Sequence, residues 1–118
     1  MKILILSDAN SIHTIKWVES IKDHGIDIQL FSLFKPSKIT QRKYDKNKIK
    51  VVSADIISEI KDLRNPNLSK FKYLKSFSLI KNMIKNFNPD IVHAHYASSY
   101  GILGYLTRFK PFVISVWG

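Results

Sequence analysis

Three short segments carry the side chains best suited to chemistry. The first is Pro89-Asp90-Ile91-Val92-His93-Ala94-His95-Tyr96, which sets two imidazoles two residues apart. Residues so spaced point the same way in a strand, so His93 and His95 share a face if the strand reaches that far. Imidazoles at the carboxyl end of a strand can orient a hydroxyl, move a proton or bind a metal. His93 also fits a buried histidine hydrogen-bonded to backbone, whereas His95 and Tyr96 fall at the strand tip, where a substrate can be touched. The second segment is Ser7-Asp8-Ala9-Asn10-Ser11-Ile12-His13-Thr14, small and polar and followed by helical spacing. Uncapped N–H groups and the positive end of a helix favour an anion there, while Asn10 or Ser11 can serve as the helix cap. His13 fits either a phosphate donor or an ordinary surface residue. The G-x-G-x-x-G pattern is missing, so no dinucleotide fingerprint is present. The third segment is Trp117-Gly118, directly after an apolar run.

The elements that position these segments alternate. Lys2–Leu6 is a short apolar run suited to a strand buried on both faces. Ile12, Ile15, Val18 and Ile21 recur at helical spacing up to Gly25, where the helix should stop. Ile26–Leu33 gives a second strand, a polar basic segment follows, and Ile49–Val52 gives a third. Asp55 can cap a short helix carrying Ile56, Ile60 and Leu63, which Arg64-Asn65-Pro66-Asn67 breaks. Ser69 opens a longer helix with Leu74, Phe77, Ile80, Ile84 and Phe87 in one stripe. Ile91–Ala94 is a fourth strand, Ser98 or Ser99 caps a helix running to Phe109, and Phe112–Val116 is a fifth strand. Gly101 and Gly104 fit close helix packing and not a phosphate loop. Strands alternating with helices predict an α/β fold, a Rossmann-like parallel sheet covered on both faces, because parallel strands need crossover connections. Ligands then collect at the carboxyl ends of the strands, where the three segments converge.

Composition bounds the rest. The 118 residues amount to one small domain, and 45% apolar with 24% charged side chains is globular rather than disordered. Cysteine is lacking, which excludes disulfides and thiolate metal or redox sites. No apolar run approaches the roughly 20 residues of a membrane span, and the N-terminus lacks signal-peptide order. A cytoplasmic, soluble protein is expected. The net charge of +10 is concentrated: 14 of the 19 basic residues lie between Lys35 and Lys85. Such a zone attracts anionic lipid, phosphorylated ligands or nucleic acid, or simply keeps the protein in solution. The sequence stops at Trp117-Gly118 with no polar tail, so a single domain over 1–118, the front part of a larger protein, is expected.

The strings ILILSDANSIHTIKWVESIKDHGIDIQLFS, NPDIVHAHYASSYGILGYL and PFVISVWG together resemble the N-terminal domain of family-4-type glycosyltransferases. The resemblance implies a retaining enzyme of the GT-B arrangement, in which two Rossmann-like domains face each other across a cleft. It implies a transferase of hexosyl type that moves sugar from a nucleotide-sugar to a glycan or lipid-linked acceptor in cell-surface polysaccharide or glycolipid synthesis. It calls for no further cofactor and no metal. Carried onto this chain, Asp8, Asn10, Ser11 and His13 face the donor diphosphate and the acceptor, Tyr96 lines the acceptor pocket, and Gly118 belongs to the substrate wall. His95 and Trp117 take the catalytic side. Relatives often carry a histidine beside the reacting sugar where this chain has Trp117, which can stack on a sugar ring or pack. Many relatives show a double glycine where this chain has Ala9-Asn10. The nucleotide-sugar domain lies outside these residues, so the chain alone is expected to be inactive, bound weakly by acceptor, and peripheral at the inner face of a membrane.

Two other readings compete. His93 and His95 also fit the H-x-H strand of a metal-dependent hydrolase, although a catalytic metal usually takes three or more ligands. Lys35–Lys85 also fits a non-catalytic basic module for nucleic acid or anionic membrane, with Phe71, Tyr73 and Phe77 interleaved among the cations. Leu74, Phe77 and Ile80 at helical spacing are better explained as core, and no nucleic acid partner is expected.

Overall fold

A computed structural model describes residues 1–55, 66–96 and 99–116. Five parallel strands, β1 (Lys2–Leu6), β2 (Asp27–Ser32), β3 (Lys50–Ser53), β4 (Ile91–His95) and β5 (Phe112–Ser115), form one sheet in the order β3-β2-β1-β4-β5. The helices are α1 (Ile12–Lys22), α2 (Lys38–Lys46), α3 (Pro66–Phe87) and α4 (Ser99–Leu106). The chain winds outward from β1 to β3, then crosses back to place β4 on the other side of β1. The predicted Rossmann-like α/β fold is therefore the one observed.

The period of two along β1 divides the core. Ile3 and Ile5 join Ile28, Leu30, Val18 and Tyr44 on the face covered by α1 and α2. Leu4 and Leu6 join Phe31, Val92, Ala94, Ile80 and Leu103 on the face covered by α3 and α4. Apolar residues on both faces of one strand are what a parallel sheet requires. Leu4, Ile5 and Leu6 have no exposed surface, and burying each such side chain stabilises the fold by about 1.5–3 kcal/mol.

Several boundaries differ from expectation. The basic segment after β2 folds as α2. Ser37 caps it, its hydroxyl accepting from the Thr40 N–H at 3.2 Å. Thr40 and Tyr44, four apart, form the buried edge, and Lys43 and Lys46 occupy the last turn, where cations suit the helix dipole. A helix with two buried residues offers little apolar periodicity to read. α3 begins at Pro66, ahead of the expected Ser69, and proline's missing N–H costs nothing in a first helical turn. Leu74 is 66% exposed, and the buried line of α3 runs through Ser76, Ile80 and Met83. α4 ends at Leu106, short of Phe109. The expected helix through Ile56, Ile60 and Leu63 lies outside the described residues. Both helix glycines sit at close approaches. A Cβ on Gly104 would enter the Phe112 ring, and one on Gly101 would stand 3.0 Å from the Tyr96 carbonyl oxygen.

Candidate active-site rim

In this strand order the switch point falls between β1 and β4, and the crevice beyond their carboxyl ends is where an open α/β sheet binds ligands. Leu6 pairs with Ala94 across that junction. Two residues further on, Asp8 leaves β1 on one side and Tyr96 leaves β4 on the other.

The β1 side is fixed by a chain of buried polar contacts. The Ser7 and Thr14 hydroxyls meet at 2.6 Å and join the strand end to the first turn of α1. The Ser32 hydroxyl accepts from the Ala9 N–H at 3.0 Å and donates to the Phe34 carbonyl at 2.7 Å. The Tyr44 hydroxyl donates to the Ala9 carbonyl at 2.8 Å, and Tyr100, arriving from α4, accepts from the Leu33 N–H at 3.1 Å. Such groups cost free energy unless paired, so their pairing fixes the loop.

Within this frame Asp8 is half-buried. One of its carboxylate oxygens accepts from the Asn10 N–H at 2.9 Å. Its charge adds to the upward push on two phenols. Burial is the main cause for both, and it holds Tyr44 well above the ordinary tyrosine range and pushes Tyr100 up to about 12. A carboxylate here suits a sugar hydroxyl as hydrogen-bond donor and opposes a phosphate placed against it. Asn10 does not cap α1. Its amide donates to the Lys35 carbonyl at 3.1 Å and accepts from the Ser37 N–H at 2.9 Å, which fastens the rim loop to the start of α2. Ser11 occupies the N-cap position with an extended backbone, and its side chain makes no cap hydrogen bond. His13 is exposed on the first turn of α1.

On the β4 side the two histidines do share a face, and both are buried. His95 has no exposed surface and His93 only 8%. β4 does not fray at its tip, because His95 still pairs with Ser115 of β5. Trp17 of α1 stands edge-on to both imidazoles, at 4.7 Å from His93 and 5.1 Å from His95, and the imidazoles lie 4.8 Å apart. The Nε2 of His93 and the Ser115 hydroxyl are 2.6 Å apart. Burial lowers the pKa of His93. Burial and then the neighbouring His93 bring His95 down to about 4, so both rings are neutral at neutral pH. The His93 partner is thus a side chain of β5 rather than backbone.

Tyr96 turns the other way. Its φ of 75° is rare for a residue with a side chain, and its N–H donates to the Ser115 carbonyl at 2.8 Å. The half-buried ring packs with the α3/α4 face, close enough to Tyr100 to raise that phenol further. A non-glycine residue held at positive φ stores strain that the surrounding structure must impose.

The topology puts the segment with Asp8, Ser11 and His13 after β1 and Tyr96 after β4, at the carboxyl ends of two neighbouring strands. Asn10 is spent on the α2 connection, His95 lies beneath the rim, and Trp117 and Gly118 lie outside the described residues. Sequence reading missed Ser32, Tyr44 and Tyr100, which brace the rim. Tyr44 was hidden because its helix was, and an interior Ser32 in an apolar strand was the available signal. Among the described residues no group of three or more His, Cys, Asp or Glu could hold a metal. The basic zone divides: the α2 cations lie with the α1 face and the α3 cations with the opposite one, while Lys61 and Arg64 lie outside the described residues. No described helix is long and apolar enough to cross a membrane.

Comparison with solved structures finds the same fold at low identity. The C-terminal domain (residues 83–215) of the PF1911 hydrogenase from Pyrococcus furiosus is 13% identical with a TM-score of 0.70, covering 98% of this chain and 90% of that one. MurG from Acinetobacter baumannii is 16% identical with a TM-score of 0.65, covering 98% of this chain and 34% of MurG, so this chain spans about a third of the MurG length. No curated protein matches the chain in sequence. The family model described as glycosyl transferase 4-like matches residues 2–118, nearly every position from β1 onward, and the chain belongs to that family.

Proposed function

We propose that this domain is the acceptor-side half of a glycosyltransferase, one wall of a cleft in which sugar passes from a nucleotide-sugar to a glycan or lipid-linked acceptor. The observation that supports the reading is the match of residues 2–118 to a glycosyltransferase family on a sheet whose switch point lies between β1 and β4, the strands that Asp8 and Tyr96 follow. Asp8 orients an acceptor hydroxyl, and its carboxylate is also within the chemistry of a general base. The first turn of α1, with His13, faces the diphosphate end of the donor. Tyr96 offers a ring against which a sugar packs. His95 supports this wall from below.

Transfer requires stabilisation of the leaving diphosphate from both sides of a closed, water-excluding cleft. The second side belongs to a further domain. The flank of β5 and α4 is where such a unit packs, since Ile102, Tyr105, Val113 and Ile114 are 42–73% exposed there. The 118 residues alone are accordingly expected to give no turnover. On this reading the protein works in the cytoplasm, at the inner face of a membrane when the acceptor is lipid-linked.

The test is backbone-resolved NMR titration of the purified chain with uridine and guanosine diphosphates and with oligosaccharide acceptors. Shifts confined to residues 8–14 and Tyr96 are the expected result, with acceptor binding weakened at least about tenfold by Asp8→Asn through loss of its charged hydrogen bond and diphosphate binding not weakened. Shifts confined to α2 or β5, or metal-dependent hydrolysis by the isolated chain, overturn the assignment.

A further inference from the structure

The segment Lys35–Lys50 holds seven cations and one acid, Asp45. In α2 these charges form a single outward stripe. Lys38, Ile39, Arg42, Lys43 and Lys46 are exposed at positions i, i+1, i+4, i+5 and i+8, while Thr40 and Tyr44 root the helix in the core. Ile39, 69% exposed, stands in the middle of the cations. The amide of Gln41 donates to the Asp45 carboxylate at 2.9 Å, so the one acid has a partner on its own helix. Lys35, also exposed, continues the stripe to the rim.

We propose that the outer face of α2 is a docking surface for anionic lipid. Lys35, Lys38, Arg42, Lys43 and Lys46 meet headgroup phosphates, and Ile39 enters the headgroup layer between them. The side chains of this face argue for a bilayer over nucleic acid. The aromatic of this helix, Tyr44, is 2% exposed and bonded to Ala9, so the face offers no ring for base stacking. A cation stripe around an aliphatic residue matches the chemistry of an interfacial helix.

The position gives the dock a consequence. Three hydrogen bonds join α2 and its lead-in to the rim loop: the Asn10 amide with Lys35 and Ser37, and the Tyr44 hydroxyl with the Ala9 carbonyl. A membrane held on α2 fixes the loop that carries Asp8. That link to a lipid-linked acceptor rests on the transferase reading, whereas vesicle binding itself does not.

The experiment is co-sedimentation of the purified chain with phosphatidylcholine vesicles containing zero or 30% phosphatidylglycerol (~0.3 mole fraction, chosen to give an anionic surface). Binding to the anionic vesicles alone is expected. Each cation near such a surface contributes about fivefold. Lys38→Glu/Arg42→Glu/Lys43→Glu should therefore weaken binding at least a hundredfold, about 100-fold being three such factors. The milder Lys38→Gln/Arg42→Gln/Lys43→Gln should weaken it in the same direction, and Ile39→Ser several-fold. The equal charge change on α3, Lys75→Glu/Lys81→Glu/Lys85→Glu, should weaken it less than about tenfold, the part owed to net charge. Circular dichroism checks that each variant is folded. Equal loss on α2 and α3, no preference for anionic vesicles, or tighter binding of RNA through the same α2 residues at the same salt overturns the proposal. A chain that docks on anionic vesicles while residues 8–14 and Tyr96 show no shift with either diphosphate or acceptor would leave the dock standing and sink the transferase reading.

Discussion

The two edges of the sheet are finished in opposite ways. At the β3 edge, Lys48 precedes and the exposed Lys50 opens the strand, its other side chains are half-buried, and α2 closes the face with Tyr44 and Thr40 beneath a layer of cations. At the β5 edge, Val113, Ile114 and Val116 are 45%, 42% and 73% exposed. A groove of 970 Å³ opens at the turn between α4 and β5, lined by Tyr105, Leu106, Phe109, Pro111 and Phe112 with Arg108 and Lys110. Charged, short, covered edges are how proteins keep strands from pairing with strangers, and bare apolar ones invite a partner. Among the described residues the β3 edge thus ends in charge, and the β5 edge leaves apolar side chains uncovered.

Titration separates the edges most strongly. The β5 side is joined to the core through His93 and His95, whose folded pKa values lie below the ordinary imidazole value. Above about pH 6.5 both folded and unfolded chains carry neutral rings and the difference contributes nothing. Between about pH 6.5 and 4 the unfolded chain takes up protons that the folded His95 refuses, so stability falls as pH falls, by up to about 3 kcal/mol. Denaturant titrations at pH 7 and pH 4.5 measure this, and hydrogen exchange should show the amides of β4 and β5 losing protection before those of β3. The α2 side responds to alkali instead. Burial, with help from Asp8 and Glu19, raises the Tyr44 pKa, so above pH 10 the unfolded chain releases a proton that the folded one keeps, and stability falls as pH rises. His95→Phe should flatten the acid limb and leave the alkaline one. Equal sensitivity of both edges to acid would remove the distinction.

Packing at the α4–β5 contact comes next. Gly104 leaves room for the Phe112 ring and, on the other side, for Leu6, whose Cδ1 would lie 3.1 Å from an added Cβ. Gly104→Ala should cost about 2 kcal/mol despite alanine's better helix propensity, because Leu6 has no room to retreat. A thermal melt checks the sign. A stabilising result would mean that the β5 flank is loose enough to absorb a methyl group.

These contrasts also explain what could be read in advance. β1, β2 and β4 were legible because strands buried on both faces are continuous apolar runs, and α1 because Ile15, Val18 and Ile21 keep helical spacing. α2 was not, since its helical evidence is a capping Ser37 and two buried residues amid charge. The site was legible by segment and not by side chain. The pairing of His93 with His95 followed from strand period, but period does not say which helix lies over the face, and Trp17 seals it. In the same way nothing in Asn10-Ser11 separates a cap from a clamp, because the clamp's partners, Lys35 and Ser37, are set by tertiary contact.

That clamp gives a smaller effect at the other edge. Asn10→Ala removes two hydrogen bonds to the lead-in of α2 and should cost about 1–2 kcal/mol, while Tyr44→Phe leaves the buried Ala9 carbonyl without its phenol donor and should cost about 1 kcal/mol more than its volume predicts. Exchange protection should drop in α2 and the 8–14 loop together, with β5 unchanged. If α2 loosens and the loop does not, the two are not mechanically joined.

The smallest effect distinguishes the edges most directly, since it substitutes the same residue type at each. Val52 of β3 is half-buried and packs on the α3/α4-face core, whereas Val113 of β5 is 45% exposed. Val52→Thr should cost about 1 kcal/mol, because the added hydroxyl takes the place of a methyl group against apolar neighbours. Val113→Thr should change the melting free energy by less than about 0.5 kcal/mol, as surface substitutions usually do, and should raise the concentration at which the chain stays monomeric by light scattering. Threonine keeps the β-branch, so strand propensity is held constant and the difference reports cover alone. A cost at Val113 matching that at Val52 would mean that this chain already covers its β5 edge, by self-association, and that the flank is not awaiting a further domain.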